Sequence, residues 1–165
     1  MACPSASSCT VVGGYTDSSN RRYGLILTGG GSAWTPTKTA EPLLFSVACA
    51  SVSSCTIGGD GAILVGAGAN WKTINVPPAA AGTLLASVAC PTTAPCAIAA
   101  QSPLSDGLQI VAGSGSQWAA FDVVPAGGVN GSAALTSIAC PSPSTCVAVG
   151  DLSGTSGAVV ATGPS

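Results

Sequence analysis

The stretch SVACASVSSCTIGGDGAILVGAGANW, residues 46–71, contains every element of a unit that recurs along the chain. It opens with two cysteines six positions apart, continues with short apolar segments between turn residues, and closes on a tryptophan. The cysteine pair occurs four times, as Cys3/Cys9, Cys49/Cys55, Cys90/Cys96 and Cys140/Cys146. Self-similarity at a spacing of about 40–50 residues is typical of repeat architectures, so this unit decides the fold.

Each copy holds four strand-sized segments, named A to D in chain order, with β-branched residues and no helical periodicity. In the third copy they cover residues 85–90, 96–100, 107–112 and 118–124. Four short strands per unit match the blade of a β-propeller. The sequence therefore predicts an all-β fold: a single β-propeller domain over residues 1–165, built from about three and a half four-stranded antiparallel blades. The repeats are expected at approximately 1–43, 44–84, 85–134 and 135–165.

The cysteines are interpreted as four disulfides within the repeats. The two cysteines of a pair, with five residues between them across an A–B turn, are expected opposite each other on adjacent antiparallel strands, at about the separation that a disulfide needs. Eight cysteines allow about a hundred pairings, and the fourfold recurrence favours the local one. Metal binding is the alternative, but zinc sites prefer closer cysteine pairs, often with histidine, and this chain has no histidine. Disulfides indicate an oxidising compartment, so we expect a secreted, extracellular or periplasmic protein, although no signal peptide is seen.

The composition argues against several classes of partner. Only 6% of the residues are charged, 47% are hydrophobic, and the net charge is −2. Nucleic-acid binding needs clustered cations, whereas only Arg21 and Arg22 are adjacent among the four basic residues. No apolar run approaches the ~18–20 residues of a membrane helix. We therefore expect neither nucleic acid nor a membrane as partner, and the absence of histidine excludes a Ser/His/Asp triad.

The end of each of the first three repeats resembles a known motif. A short apolar segment, a glycine turn and a tryptophan look like the Asp-box repeats of sialidase-type and photosystem assembly-factor-like propellers, whose pattern is Ser-x-Asp-x-Gly-x-Thr-Trp. The glycine three before the tryptophan is kept at Gly31, Gly68 and Gly115, whereas Gly29, Gly66 and Gly113 replace the aspartate. The repeats thus resemble a degenerate, disulfide-bearing version of this family.

The resemblance implies that Trp34, Trp71 and Trp118 pack between neighbouring blades, with stacking on sugar rings as the alternative. It does not imply sialidase chemistry, because that chemistry needs an arginine triad and this chain has only Arg21 and Arg22, both in one loop.

Strand order predicts where a ligand binds. In an up-and-down meander the A–B and C–D turns lie at one end of the sheets, and the B–C and D–A connections lie at the other. The first set is constant among the copies and the second varies, which is how a rigid scaffold usually presents binding loops. Candidate ligand-binding residues in these variable connections are Tyr15, Asp17, Arg21, Arg22, Tyr23, Glu41, Asp60, Asp106 and Asp151.

Three of these aspartates, Asp60, Asp106 and Asp151, occupy B–C connections and are candidate ligands for a central calcium ion, the only cofactor that the sequence suggests. The alternative is that each aspartate hydrogen-bonds its own turn.

These features favour a non-catalytic binding or scaffold propeller that recognises a ligand with its variable loop face. The other function left open is a calcium-dependent hydrolase of the lactonase or phosphotriesterase type, with acidic loop residues at the ring axis. The first copy is expected to lack strand A, because the chain starts at the end of that segment, and the fourth copy stops before its D segment. We therefore expect the open edges to be closed by a second copy of the chain, as a homodimer, or by the rest of a larger propeller.

Overall fold

A computed structural model describes residues 1–41, 43–92, 95–101, 108–123, 133–152 and 157–163. These residues form fifteen β-strands and one short 3₁₀ turn, Pro78–Ala80, and include no α-helix. The strands make three four-stranded sheets and one three-stranded sheet, all antiparallel and each built from consecutive strands. No helix in this described part of the chain is long and apolar enough to span a bilayer.

Each sheet corresponds to one sequence repeat. The first contains β1 (Ala2–Ser5), β2 (Ser8–Thr16), β3 (Arg22–Gly30) and β4 (Ala33–Thr39). The second contains β5 (Leu44–Ser51), β6 (Ser54–Gly59), β7 (Ala62–Ala67) and β8 (Asn70–Asn75). The third contains β9 (Leu84–Ala89), β10 (Cys96–Gln101), β11 (Leu108–Ser114) and β12 (Gln117–Val123). The fourth contains β13 (Ala133–Ser142), β14 (Thr145–Leu152) and β15 (Gly157–Gly163).

The sheets pack against one another in chain order. The first strand of each sheet contacts the first strand of the next, so that β1 meets β5, β5 meets β9, and β9 meets β13. Successive antiparallel meanders with their first strands side by side are the blades of a β-propeller, and the predicted fold class is confirmed. One detail was wrong: the first copy does have strand A, because Ala2 pairs with Thr10 and Ser5 with Ser8.

Apolar clusters fill the three junctions between sheets. Here the side of a sheet that faces the preceding sheet is called its backward face, and the opposite side its forward face. On the second sheet Leu64 points backward, into a cluster with Ile26 of the first sheet. Its neighbour Ile63 points forward, into a cluster with Leu85 of the third sheet, as strand alternation requires. Complete burial of each such side chain contributes roughly 1.5–3 kcal/mol, so the junctions carry much of the stability.

All four predicted disulfides are present, and the described residues include no free cysteine. The bonds are Cys3–Cys9, Cys49–Cys55, Cys90–Cys96 and Cys140–Cys146. In the second sheet the prediction also holds in register, because Cys49 and Cys55 are direct cross-strand partners with their Cα atoms 3.9 Å apart. The disulfides fasten the turn within each blade and leave the junctions between blades to non-covalent packing.

The fourth disulfide has the same arrangement as the second. Ala139 pairs with Val147 on β14, and continuing this register places Cys140 opposite Cys146, with their Cα atoms 4.0 Å apart. The ladder shifts only in the turn beyond the pair, before Ser142 and Thr145. The predicted placement of the two cysteines on adjacent antiparallel strands therefore holds here as well.

Cys146 also contributes to the core. It is 5% exposed and belongs to the apolar cluster between the third and fourth sheets, together with Leu108 and Leu135. Its sulfur is thus both half of a disulfide and a buried packing group, and it is closed to any external ligand.

A serine in the first strand of a sheet ties that sheet to the next one. The Oγ of Ser46 accepts a hydrogen bond from the backbone N–H of Val88, at 3.1 Å. The Oγ of Ser87 likewise accepts from the N–H of Ile138, at 3.2 Å. A register irregularity precedes the serine in both strands, and such bulges re-aim side chains. At Ser46 and Ser87, the serine of the repeated Ser-Val/Ile-Ala-Cys motif therefore links its blade to the next one by a hydrogen bond.

The glycine turns before the tryptophans have a steric cause. Gly31, Gly68 and Gly115 adopt φ values of 55–58°, the left-handed region that glycine enters without strain. A Cβ on Gly66 would lie 2.0 Å from the carbonyl oxygen of Asn70, so this position admits no side chain. The close approach of the backbone explains why glycine, and not aspartate, stands five residues before each tryptophan.

The tryptophans occupy corresponding positions, but they are not equally buried. Each indole Nε1–H donates to the carbonyl of the turn glycine three residues earlier, at 2.8–3.1 Å. Trp71 packs on the cluster between the first and second sheets, and Trp118 on the cluster between the second and third. Trp34 is 39% exposed, so its predicted burial was wrong. The reason is that no described sheet packs on the backward face of the first sheet.

Candidate ligand-binding surface

The hairpin of β2 and β3 projects well beyond the neighbouring hairpin of the second sheet. Its two strands pair over eight positions, from Cys9/Gly29 to Thr16/Arg22. The corresponding hairpin of the second sheet, β6 and β7, pairs over four positions. At about 3.3 Å per residue, the first hairpin extends roughly 13 Å further than the second. Its end residues are therefore held away from the second sheet, at the loop end of the fold.

Two tyrosines and a lysine meet near the end of this hairpin. Tyr15 and Tyr23 are cross-strand partners with ring centroids 5.6 Å apart, a spacing typical of interacting aromatic pairs. Lys38, on β4, places its Nζ 3.2 Å from the ring centroid of Tyr23 and 6.0 Å from that of Tyr15. These distances are those of cation–π contacts, which hold the two rings and the ammonium group together.

Asp17 organises the tip of the hairpin. Its Oδ1 accepts hydrogen bonds from the backbone N–H groups of Ser19 and Arg21, both at 2.9 Å. Its Oδ2 accepts from the Nε of Arg21 at 3.2 Å. Asn20 takes a left-handed conformation, with φ of 60°, which asparagine tolerates better than most residues. The tip is thus a turn closed by one carboxylate, which also orients the Arg21 side chain.

These contacts shift the acidity of Asp17. The backbone N–H of Arg21, followed by that of Ser19 and the Arg21 side chain, stabilises the ionised carboxylate and lowers the pKa of Asp17 below its ordinary value. Asp17 therefore remains charged at neutral pH. The turn that presents Arg21 persists wherever that carboxylate is ionised.

The residues Tyr15, Arg21, Tyr23 and Lys38 are here called the hairpin cluster. They include both tyrosines and two of the four basic residues of the chain. Arg22 is exposed on β3 next to Tyr23, and by strand alternation it faces the other side of the sheet. Arg21 also approaches Tyr23, with its Cζ 5.8 Å from the ring centroid. Asp17 is the acidic side chain in contact with this group, so the cluster is a locally positive surface on a chain whose net charge is −2. Tyr15 keeps 39% of its surface exposed, which leaves an aromatic face open to a partner.

The remaining predicted ligand residues lie apart from this cluster. Glu41 is engaged in structure: its Oε1 accepts from Thr73 Oγ1 at 2.6 Å, and its carbonyl accepts from the backbone N–H of Gly24. Asp60 is exposed between β6 and β7, and its backbone bridges to Leu84 of the third sheet. Asp151 is exposed on β14, and Asp106 lies outside the described residues.

The calcium site stays a prediction. Among the residues that the structure describes, no three His, Cys, Asp or Glu side chains come close enough to hold a metal ion. Asp60 and Asp151 belong to that described set, whereas the third predicted ligand, Asp106, does not.

Comparison with known proteins adds evidence on the fold. No protein-family model matches the chain, and no curated protein matches it. A solved structure titled "YCF48 bound to D1 peptide" is similar, with a TM-score of 0.50 and 12% sequence identity. The match covers 64% of this chain and 32% of the YCF48 chain, so it spans about a third of that protein. At this identity the likeness shows the fold alone.

Sequence reasoning missed Lys38. The residue lies in a D segment, four positions after Trp34, and not in a variable connection. The signal was its register: Lys38 pairs with Leu25 on β3, and Leu25 shares its face with Tyr23 by alternation. Aligning the strands of the first repeat would have placed Lys38 beside the tyrosines. The cluster is therefore built by three strands of one sheet and not by loops alone.

The geometry suits binding and not acid–base chemistry. Arginine and lysine donate hydrogen bonds and accept none, and both remain charged at neutral pH. Within the described part of the hairpin end, the one carboxylate, Asp17, is already engaged by Arg21. The cluster can therefore attract and hydrogen-bond an anion, and Tyr15 can add aromatic contact area.

Proposed function

We propose that the chain is an exported, non-catalytic binding or scaffold propeller that recognises an acidic segment of a protein partner through the hairpin cluster. The observation that carries this proposal is the gathering of both tyrosines and two of the four basic residues at one end of the first sheet. The four disulfides are consistent with an extracellular or otherwise oxidising compartment, which supports export.

The chemistry of the cluster favours an anionic partner. Arg21 and Lys38 both contact the tyrosines, whereas Asp17 is the one carboxylate paired with the cluster. Hydrogen bonds between guanidinium groups and carboxylates are both strong and directional. Tyrosine and arginine are the residues that most often dominate protein–protein binding energy, because they combine large contact areas with polar ends. A positive patch on an acidic chain also orients an acidic partner during encounter.

The YCF48 comparison supports a peptide as the partner. That protein has a similar fold and its structure is titled as a complex with a peptide. A propeller of this architecture can therefore serve as a peptide-binding scaffold. We also propose that the glycine turns are a degenerate form of the Asp box, since they keep the turn glycine and its bond to the tryptophan.

The test is selection from a peptide library displayed on the surface of phage, with the oxidised 165-residue chain immobilised. We expect enrichment of peptides with clustered Asp and Glu, and affinities that fall as salt rises. Replacing Lys38 with Gln or Tyr15 with Ser should weaken a selected peptide by roughly tenfold, or about 1.4 kcal/mol. The matched control is Lys72→Gln, which removes the fourth basic residue, exposed on β8 of the second sheet.

Two results would contradict the proposal. One is enrichment of neutral or basic peptides. The other is acidic binding that Lys72→Gln weakens as much as Lys38→Gln does, because charge alone and not the cluster would then explain it.

The other functions stay open as predictions. Calcium-dependent hydrolysis requires a bound cation, so calcium titration by calorimetry with Asp60→Asn as the control variant tests that alternative. A second copy of the chain is a further proposed partner, for the two outer faces of the sheet stack and not for the hairpin cluster.

A further inference from the structure

The two ends of the described sheet stack expose apolar faces. At the near end, the backward face of the first sheet carries Val11, Leu27 and Trp34, with Trp34 39% exposed. At the far end, the forward face of the fourth sheet carries Val149 and Val160, which are cross-strand partners. They are 41% and 65% exposed. Paired apolar side chains this exposed are unusual inside a sheet that is otherwise packed.

Internal junctions show what normally covers Val160. The residues at the same repeat position in the first two sheets are Ile26 and Ile63, and both are completely buried. Each belongs to the apolar cluster that its sheet forms with the next one. Val160 therefore stands where a following sheet of the same repeat would pack.

The same comparison applies to Trp34. Trp71 packs on the cluster that contains Ile26, and Trp118 packs on the cluster that contains Ile63. At both internal junctions, then, a tryptophan on the backward face of one sheet packs with an isoleucine on the forward face of the preceding sheet. Trp34 corresponds to that tryptophan and Val160 to that isoleucine. In the described chain the two lie at opposite ends of the sheet stack and do not meet.

A polar group completes the correspondence. Ser46 and Ser87 each accept a hydrogen bond from the first strand of the following sheet. Ser137 holds the same position in the fourth sheet, after the same register irregularity, and is exposed. Its hydroxyl group therefore occupies the position from which Ser46 and Ser87 accept hydrogen bonds across the internal junctions.

We propose that the forward face of the fourth sheet docks on the backward face of the first sheet of a second copy, with Val160 against Trp34 and Ser137 as hydrogen-bond acceptor. This deepens the proposal of a second copy by assigning the residues of its contact. The argument for that occupant is that both complementary halves lie on one chain, at opposite ends of the stack. Two copies joined in this way make two identical contacts and a closed ring.

The hairpin cluster lies on the same backward face as Leu27, by strand alternation from Tyr23, but at the loop end of that face. On the second sheet, which is covered on both faces, the positions that correspond to Tyr23 and Lys38 are Asp60 and Asn75, and both are exposed. The loop end of a junction therefore remains in solvent. Docking and peptide binding can occur together and can fail separately.

The experiment is sedimentation velocity of the oxidised chain over a concentration series. Wild-type protein should sediment as two chains, and Val160→Asp or Trp34→Lys should each weaken dimerisation by at least roughly tenfold. The matched control is Val52→Asp, which places the same charge at another exposed valine, 56% exposed in the turn between β5 and β6. Circular dichroism and the fluorescence of the remaining tryptophans verify that each variant is folded.

Mixing the two defective variants tests the head-to-tail arrangement. In a mixture, the unchanged fourth sheet of the Trp34→Lys chain can dock on the unchanged first sheet of the Val160→Asp chain. One of the two wild-type contacts is then restored, and a dimer of the two variants should form. A symmetric contact between like faces would not be restored by mixing. It would also respond to only one of the two substitutions.

Several outcomes would overturn the proposal. They are a wild-type chain that stays monomeric at all concentrations, a pair that Val52→Asp disrupts equally, and the absence of a mixed pair. Open polymers that Val160→Asp abolishes would overturn the closed ring. Loss of peptide binding with dimerisation intact would refute the hairpin proposal alone.

Discussion

Leu27 and Leu64 occupy the same position in the first and second repeats, and truncating each to alanine measures what packing between blades contributes. Leu64 pairs with Ile57 on β6 and is 1% exposed in the junction between the first two sheets. Leu27 pairs with Val11 on β2 in the same register, but it is only half-buried on the outer backward face. The residue type and the strand position are thus the same, and only the neighbouring sheet differs.

The expected magnitudes follow from this difference in burial. Leucine to alanine removes three carbons, each worth about 0.8 kcal/mol when fully buried, or roughly 2.4 kcal/mol in total. In the closed junction at Leu64 a cavity term is added, which brings the loss to about 3–4 kcal/mol. At Leu27 roughly half of the transfer term applies and no cavity is enclosed, so the loss is about 1 kcal/mol. The expected difference is therefore about 2–3 kcal/mol.

The assay is guanidinium denaturation of the oxidised chain, followed by tryptophan fluorescence. Both substitutions are made in the Val160→Asp background, so that a second copy does not cover Leu27. With an m-value of roughly 4 kcal/mol/M, the two midpoints should differ by about 0.5–0.8 M. Equal midpoints would refute the reasoning, since they would mean that the junction adds nothing to the burial of Leu64.

Two further predictions concern the disulfides and the hairpin tip. Replacing both Cys49 and Cys55 with alanine should destabilise the chain by roughly 2 kcal/mol, the loop-entropy value for so short a ring, measured as a lower denaturation midpoint. The pKa of Asp17 is lowered in the folded hairpin, so its stabilisation of the tip is complete above the unfolded value of about 3.9. It is lost as pH falls through the folded pKa. The NMR shifts of the Ser19 and Arg21 amides should follow this transition, and Asp17→Asn should abolish it.

The fold was predictable because its signals are local and repeated. A cysteine pair that recurs at one spacing selects one disulfide pattern, and four short apolar segments per repeat select the strands. The burial of Trp34 was not predictable from the motif, because it depends on a neighbouring sheet and not on the indole or its turn. The first strand A escaped prediction for another reason: four residues are enough to pair when a disulfide holds their turn.

The arrangement of the hairpin cluster was predictable where its members are close in sequence. Tyr15, Asp17, Arg21 and Tyr23 come together because one hairpin contains them all. Lys38 reaches the same place only through pairing of β3 with β4, which a search for variable connections does not examine. The hydrogen bond that the Glu41 carboxylate accepts from Thr73 was also not predictable, because it joins residues of two different repeats.

Each described bridge closes within one sheet, and none crosses from blade to blade. A gene that duplicated or deleted one repeat would therefore gain or lose two cysteines that pair with each other. It would leave no unpaired thiol to form wrong linkages during oxidative folding. A pattern of bridges between blades would make every change in repeat number a folding defect. Because each blade contains both cysteines of its own disulfide, the number of repeats can change by duplication or deletion without disturbing disulfide pairing.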